Sequence, residues 1–168
     1  MGMGLSKKAK EALENCKKNG GTVLNFSDCG VEKMKNFKAI LKLPRLVKLD
    51  LSQNSIRELP KNFKPLKQLE EFSLARNLLT KLEEGILVLD TLKLLNLSKN
   101  KLKNLPDNMS NLLSLEDLDI GFNDISSLPH DFGKLNKLKR LNYESSELKA
   151  VPREIWDLKA LQEINFKV

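Results

Sequence analysis

A strict 23-residue period is the feature of this sequence that most constrains its fold. Leucine recurs six times at that spacing, and the first five leucines each open a pattern with apolar residues at the fourth, sixth and eleventh places and usually Asn at the ninth. A fixed period of this length predicts a repeat architecture, in which each unit buries its apolar face against its neighbours. The opening leucines are Leu46, Leu69, Leu92, Leu115, Leu138 and Leu161.

Within each unit, the alternation Leu-x-Leu predicts a short strand, because alternate residues of a strand point to the same face. Neighbouring units then place their strands side by side in one parallel sheet. A degenerate first unit, GTVLNFSDCGV, lies 25 residues before the next and so carries a two-residue insertion. A final fragment, LQEINFKV, ends inside its predicted strand. We therefore expect residues 21–168 to form about six units of 23–25 residues plus a terminal strand.

The ninth place of the units predicts a ladder of stacked asparagines. An amide both donates and accepts hydrogen bonds, so it can satisfy buried backbone groups where each strand turns into its loop. Cys29 takes this place in the first unit and Ser146 in the sixth, and we interpret both as structural. The ladder residues are Asn54, Asn77, Asn100 and Asn123.

The second half of most units predicts a short helical segment on the opposite, convex side. LPKNFKPL, LPDNMSNL, LPHDFGKL and VPREIWDL each place apolar residues three and six places after a proline. Proline suits the first turn of a helix, and this spacing suits a short α or 3-10 segment. The third unit reads LEEGIL, with Glu83 in place of the proline.

The consensus LxxLxLSxNxLxxLPxxFxxL of residues 21–168 resembles the intracellular Ras-group leucine-rich repeats, such as the Ras-suppressor and Scribble-type repeat scaffolds. The resemblance implies an α/β fold, a leucine-rich-repeat solenoid that forms a curved horseshoe with a parallel concave sheet and short helical or 3-10 convex segments. It also implies a protein–protein interaction module or adaptor in intracellular signalling or scaffolding. It identifies no partner, because a fold does not fix a function.

Residues 1–20 predict a basic capping helix, because the end of a solenoid needs a cover for its core. Ser6 is the expected N-cap of a helix over residues 5–18, which Asn19 and the two following glycines would end. The alternative is a helix that lies on a membrane surface. The apolar stripe is Leu5, Ala9, Ala12, Leu13 and Cys16, and the polar side carries Lys7, Lys8, Lys10, Lys17 and Lys18.

The net charge of +7 is concentrated near the N-terminus, either as a solvated cap or as an attraction to an anionic surface. Residues 1–48 hold eleven Lys/Arg and four Asp/Glu, whereas residues 49–168 hold eighteen of each. The start MGMGLS also fits the M-G-x-x-x-S/T signal, which makes Gly2 a candidate myristoylation site. The alternative function is therefore a lipid-anchored peripheral protein that localises a partner at the cytoplasmic membrane surface.

Several features favour a cytoplasmic location. The two cysteines, Cys16 and Cys29, are too few for a disulfide-stapled secreted domain. The start lacks a secretory pattern, and no apolar run is long enough for a transmembrane helix.

The C-terminus has no obvious cap over Leu161, Ile164 and Phe166. That end is therefore a boundary cut within a longer protein, a self-association edge or a tolerated frayed end.

The sequence offers no constellation for chemistry, and we expect no enzyme activity, metal or cofactor. His130 is the one histidine and follows a proline on a predicted convex segment, so no His-based ligand set or catalytic triad can be assembled. The glycines form no phosphate-binding motif, which argues against a nucleotide substrate. The repeats are neutral and their aromatics occupy core places, so nucleic acid is not the expected partner either.

The residues between the core leucines are expected to form a protein-binding concave face. Phe122 and Leu94 are large apolar groups at predicted exposed places, and the later strands are acidic. We therefore expect a partner segment with basic residues to bind across the acidic strip of Asp117, Asp119, Asp124, Glu144 and Glu147. The remaining candidate residues are Lys48, Asp50, Glu71, Ser73, Arg76, Asn96, Lys99, Arg140 and Asn142.

Overall fold

The computed structural model describes residues 5–32, 34–144 and 151–166 and shows the predicted α/β solenoid. Seven short strands alternate with helical segments along the chain. The helices are α1 (Lys7–Lys18) and α2 (Met34–Ile40). The strands are β1 (Val23–Asn25), β2 (Lys48–Asp50), β3 (Glu71–Ser73), β4 (Leu94–Asn96), β5 (Asp117–Asp119), β6 (Arg140–Asn142) and β7 (Glu163–Asn165).

The strands form one curved, open, parallel sheet in chain order, as the period predicts. Each strand pairs with the next in a register that matches the repeat, so Phe72 lies between Leu49 and Leu95. The central residue of each strand from β1 to β6 points into the core and is buried. Because every unit contributes the same core places, the apolar interior runs as a continuous column along the solenoid.

The asparagine ladder is confirmed. The Nδ2 of Asn100 donates to the carbonyl oxygens of Leu74 and Leu97 at 3.0 and 2.9 Å, and its Oδ1 accepts from the N–H of Leu79 at 3.1 Å. Asn77 and the other ladder asparagines repeat this pattern with their own neighbours. Each amide therefore ties the loop of one unit to that of the unit before it. Ser146 lies outside the described residues.

Among the residues that the structure describes, five 3-10 segments build the convex side, with α2 in the longer first unit. The expected place of the prolines is wrong in detail. Pro152 is the residue just before its helix, while Pro129 lies three residues ahead and its carbonyl accepts from the N–H of Phe132 at 2.9 Å. Glu83 plays the part of Pro152 in the third unit, since its carbonyl accepts from Ile86. The 3-10 segments are Lys64–Leu66, Glu84–Val88, Met109–Asn111, Phe132–Lys134 and Arg153–Asp157.

Helix α1 covers the first unit, as expected of a capping helix, but begins at Lys7 rather than at residue 5. Ser6 is the N-cap, and its hydroxyl accepts from the N–H of Ala9 at 3.1 Å. The same hydroxyl donates to the carbonyl of Cys29 at 2.6 Å, which fastens the helix to the first loop. Ala9, Leu13 and Cys16 are buried. The proposed boundary after residue 20 stays a prediction.

The opposite end of the described chain is open. Strand β7 pairs with β6, but all three of its residues are exposed, including Ile164 at 41%. Trp156 on the last convex segment is 78% exposed. Phe166 packs against Tyr143 with ring centroids 4.8 Å apart and provides a partial cover. Within the described ranges, no helix has the length and apolar character needed to cross a membrane.

Candidate functional site

The parallel register aligns the outward-facing strand residues in rows across the solenoid. We define the first row by the first residue of each strand and the second row by the third residue. The first row is Val23, Lys48, Glu71, Leu94, Asp117, Arg140 and Glu163. The second row is Asn25, Asp50, Ser73, Asn96, Asp119, Asn142 and Asn165.

Two ion pairs flank an aliphatic residue at the centre of the first row. The Nζ of Lys48 lies 2.6 Å from the Oε1 of Glu71, and the Nε of Arg140 lies 2.7 Å from the Oδ2 of Asp117. Leu94 lies between the two pairs. The sequence predicted Leu94 to be exposed, and the structure shows it half-buried.

The second row has a structural role that sequence reasoning missed. The Oδ1 of Asp50 accepts from the N–H of Ser52 at 2.8 Å, and Asn96 makes the same bond to Ser98 at 3.0 Å. Asp119 repeats it with Gly121 at 3.0 Å. Each bond closes an Asx turn at the end of a strand. The signal was present as Asp or Asn two residues before a small or polar residue, and Ser73 departs from it.

The carboxyl group of Asp119 is the one strand carboxylate with a raised pKa in the described chain. Burial disfavours its charged form, and the negative charge of Asp117 acts in the same direction. The N–H of Gly121 and the charge of Lys99 oppose the shift without cancelling it. Ionisation of Asp119 is therefore less favourable in the folded chain than in water.

A third set of residues lies where the strands turn into their loops, and we call it the rim row. Its members share a left-handed backbone conformation and are held in register by hydrogen bonds between loops, such as that from the N–H of Arg76 to the carbonyl of Ser98 at 2.9 Å. Phe122 is exposed, as the sequence predicts, at 43% of its surface. The Nζ of Lys99 lies 5.1 Å from the centroid of the Phe122 ring. The rim row is Asp28, Gln53, Arg76, Lys99 and Phe122, with φ of 51°, 55°, 55°, 56° and 55°.

The predicted acidic strip is only partly assembled as a free surface. Asp117 is paired with Arg140, and Glu144 accepts from the Nδ2 of Asn165 at 3.2 Å. Asp124 is exposed on the loop beyond the strand. Glu147 lies outside the described residues. The two rows together with Glu144 contain six acidic residues and two basic ones. The described concave face is therefore acidic, although the whole chain is basic.

Groups with ligand chemistry do not cluster in the part of the chain that the structure describes. His130 is exposed on the convex side, with its Nδ1 4.0 Å from the Oε1 of Glu154. Burial raises the pKa of the thiols of both Cys16 and Cys29, which keeps them protonated and unreactive. The described residues contain no group of three side chains suited to holding a metal ion.

Comparison with known families identifies the repeat. A family model described as a leucine-rich repeat region matches residues 84–168, which is half of the chain, and a second leucine-rich-repeat model matches residues 45–66. The chain belongs to the leucine-rich-repeat family. Leucine-rich-repeat domains commonly mediate protein–protein interaction, and the fold is typically a non-enzymatic scaffold. No match to a curated protein was found.

Solved leucine-rich-repeat structures share the fold of this leucine-rich-repeat chain. The leucine-rich repeat domain of the type III effector XopL is 24% identical, with a TM-score of 0.79, over 95% of this chain and 57% of that one. The functional domain of InlJ from Listeria monocytogenes, which includes a cysteine ladder, is 24% identical over 82% and 27%, with a TM-score of 0.66. A leucine-rich-repeat protein of Leptospira interrogans is 30% identical over 74% and 38%, with a TM-score of 0.60. The chain spans less than two thirds of each.

Proposed function

We propose that this leucine-rich-repeat chain is a non-enzymatic adaptor that binds a partner protein on its concave face, in cytoplasmic signalling or scaffolding of the Ras-group type. The observation that carries the proposal is the centre of the first row. There an aliphatic side chain, Leu94, is left half-exposed between two ion pairs on a face of aligned side chains.

This arrangement has the layout of a binding hot spot. Energetic hot spots in interfaces are apolar or amphipathic anchors, surrounded by contacts that exclude water. The pairs Lys48–Glu71 and Asp117–Arg140 are already neutralised within the chain, so a partner that covers them does not leave an isolated charge buried. Leu94 would then contribute apolar burial, and the pairs would form the rim of the contact.

The charge of the concave face defines the partner further. Six acidic and two basic side chains in the two rows and at Glu144 attract a segment with basic residues. Charge reversal at Asp117 and Asp119 is expected to weaken the complex and to reduce its sensitivity to salt. An unchanged affinity in both variants would contradict the concave assignment.

The test of the apolar centre is Leu94→Arg. The control is Leu113→Arg, because Leu113 is 65% exposed and lies in the loop before β5, away from both rows. Partners captured from the native cell with the wild-type chain are purified and titrated against both variants. We expect Leu94→Arg to weaken binding by about tenfold or more and Leu113→Arg to change it little. A partner that binds both variants equally would show that the concave face is not the site.

A second candidate function has one specific observation in its favour. A groove between α1 and α2 has apolar walls that include Leu13, Ala39 and Leu43, and lysines border it. An apolar groove edged by cations next to the N-terminal segment suits an anionic membrane surface. The bordering lysines are Lys17, Lys38 and Lys42.

In this second proposal, myristate at Gly2 supplies the anchor, and Gly2 lies outside the described residues. Metabolic labelling with myristate, with Gly2→Ala as the control, separates the two candidates. Label that depends on Gly2 and recovery of the chain with membranes would support the anchored form. Absence of that label would remove it and leave the concave-face adaptor unaffected.

A further inference from the structure

Residues 23 positions apart are neighbours in this fold. Where both are charged and lie in or next to the strands, their charges are opposite. Four ion pairs among the described residues follow that spacing, and each joins a cation to an anion. Because the sheet holds neighbouring strands about 4.8 Å apart, a like-charged pair at this spacing would repel. The pairs are Lys48–Glu71, Glu70–Lys93, Glu116–Lys139 and Asp117–Arg140, with N···O distances of 2.6, 2.8, 2.7 and 2.7 Å.

The loops that follow β2, β3 and β4 break this rule. Arg76 and Lys99 are 23 residues apart and adjacent in the rim row, and both are positive. The loops after β2 and β4 carry three more exposed cations, and in the described chain none of the five forms an ion pair within 4.0 Å. We call this set the basic rim, and it consists of Arg57, Arg76, Lys99, Lys101 and Lys103.

The nearby acidic groups do not neutralise the basic rim. Glu83 is engaged by Lys81, with an N···O distance of 2.8 Å, and Glu58 acts on the same lysine. Asp124 is in register with Lys101 at one end of the set, so the other four cations have only Glu58 in their own loops, and Glu58 also acts on Lys81. Lys99 is held over the ring of Phe122 rather than by a carboxylate. The basic rim is therefore a positive surface that the carboxylates of its own loops compensate only in part.

We propose that the basic rim binds an acidic, Asp- or Glu-rich segment of a protein. This inference rests on the proposed function, since a partner lying across the concave rows would reach the rim row directly beyond them. The partner's surface would then be divided by charge, with basic residues over the strands and acidic residues over the rim. A bound carboxylate placed between Arg76 and Lys99 would relieve the repulsion that the free chain bears.

The observations favour a protein segment over a nucleic acid. Binding of single-stranded nucleic acid usually combines cations with several aromatic platforms, one for each stacked base. Phe122 is the one aromatic side chain in the described rim row, and Lys99 already covers a face of its ring. Continuity with the concave rows also places the basic rim beside a face suited to protein contact.

The test measures how tightly the full chain binds a peptide in which Glu alternates with Ser. The peptide carries fluorescein, and binding is followed by fluorescence anisotropy at low ionic strength. The rim variant is Arg76→Gln with Lys99→Gln. Its matched control is Lys137→Gln with Lys159→Gln, which removes the same charge from exposed lysines in the loops before β6 and β7. We expect the rim variant to bind the peptide about five- to twentyfold more weakly and the control to stay within about twofold.

Three outcomes would overturn the inference: an equal loss in rim variant and control, no loss in either, or rim-dependent binding of single-stranded RNA or of phosphatidylserine vesicles without binding of the peptide. If Leu94→Arg abolishes partner binding while the rim variant leaves the peptide affinity unchanged, the rim inference fails and the proposed function stands. If the rim binds the peptide but no partner depends on Leu94, the concave proposal fails instead.

Discussion

At the scale of single residues, the ladder place shows why Asn is used there. Its side chain donates from Nδ2 to two carbonyls that the turn leaves unpaired and accepts an N–H at Oδ1, as Asn100 does. A thiol cannot do both. The carbonyl of Phe26, three residues before Cys29, already accepts from the Nδ2 of Asn54 in the next unit at 2.8 Å. The hydroxyl of Ser6 donates to a different group, the backbone carbonyl of Cys29 itself, and so fastens the capping helix to this loop.

A residue-scale prediction concerns Asp119→Asn. Because burial raises the pKa of Asp119 in the folded chain, ionisation costs more in the folded state than in the unfolded state. This carboxyl therefore lowers stability once the pH passes its unfolded pKa, and the full penalty is present above its folded pKa. An amide keeps the bond to the N–H of Gly121 and removes the penalty. We expect a gain of less than about 1 kcal/mol at neutral pH, since the group is half-exposed and water screens it.

The measurement is urea unfolding of both proteins across a pH series. The gain should vanish in acid, below the ordinary pKa of an aspartate, where Asp119 is protonated in both states. Asp50→Asn is the matched control, because Asp50 makes the same Asx turn. A gain that persists in acid, or an equal gain at Asp50, would contradict the role given to burial.

At the scale of elements, the 23-residue period predicts most of the fold. The strands, their order and their register follow from it, because identical core places must stack. The convex segments follow less well, since apolar spacing of three suits both α and 3-10 geometry. In the structure, the length of the unit decides which of the two forms. Helix α2 occurs in the unit with the two-residue insertion, where the chain has room for an α-helical turn.

The concave face is predicted in its membership but not in its energetics. The alternation that defines the core also defines the outward places, so Leu94 and Asp117 were identified from the sequence. The bonds they make were not, because an ion pair such as Asp117–Arg140 depends on side-chain geometry across strands. The Asx turns of the second row were likewise visible only as a pattern without a geometry.

An element-scale prediction concerns Gly85, in the convex segment of the unit that lacks the proline. A Cβ at this position would overlap the carbonyl oxygen of Lys61 in the preceding unit, and that oxygen belongs to backbone, which cannot move alone. We expect Gly85→Ala to lower the free energy of unfolding by about 2–3 kcal/mol. Thermal and urea unfolding measure this. Glu84→Ala, an exposed neighbour in the same segment, should cost less than about 0.5 kcal/mol, and equal losses would argue against the close approach.

At the scale of the whole molecule, the two ends of the solenoid differ. Helix α1 closes one end with buried Ala9, Leu13 and Cys16, while β7 leaves Ile164 exposed at the other. In a stacked repeat protein each unit is stabilised by its two neighbours, so a unit with one neighbour opens at a lower free energy.

A whole-molecule prediction follows for hydrogen exchange. The backbone N–H groups of β7 should exchange at least about tenfold faster than those of β3, β4 and β5, since their opening needs only the last interface to break. Strand β1 should resemble the middle, because α1 covers it. Leu13→Asp, which weakens that cover, should make β1 exchange as fast as β7. Uniform protection from β1 to β7 would show that the chain opens in a single cooperative step.

The charge matching between neighbouring units has a consequence for how such a chain can evolve. Removing residues 92–114 would delete one whole period and keep every core leucine in place, so the interior would accept the shorter chain. The surface would be less favourable, because Glu70 would then lie beside Glu116, and Glu71 beside Asp117. The core leucines make the units interchangeable, whereas the ion pairs make each unit fit best beside its present neighbours. A deletion of one repeat by recombination in the gene is thus opposed by charges on the protein's surface rather than by its core.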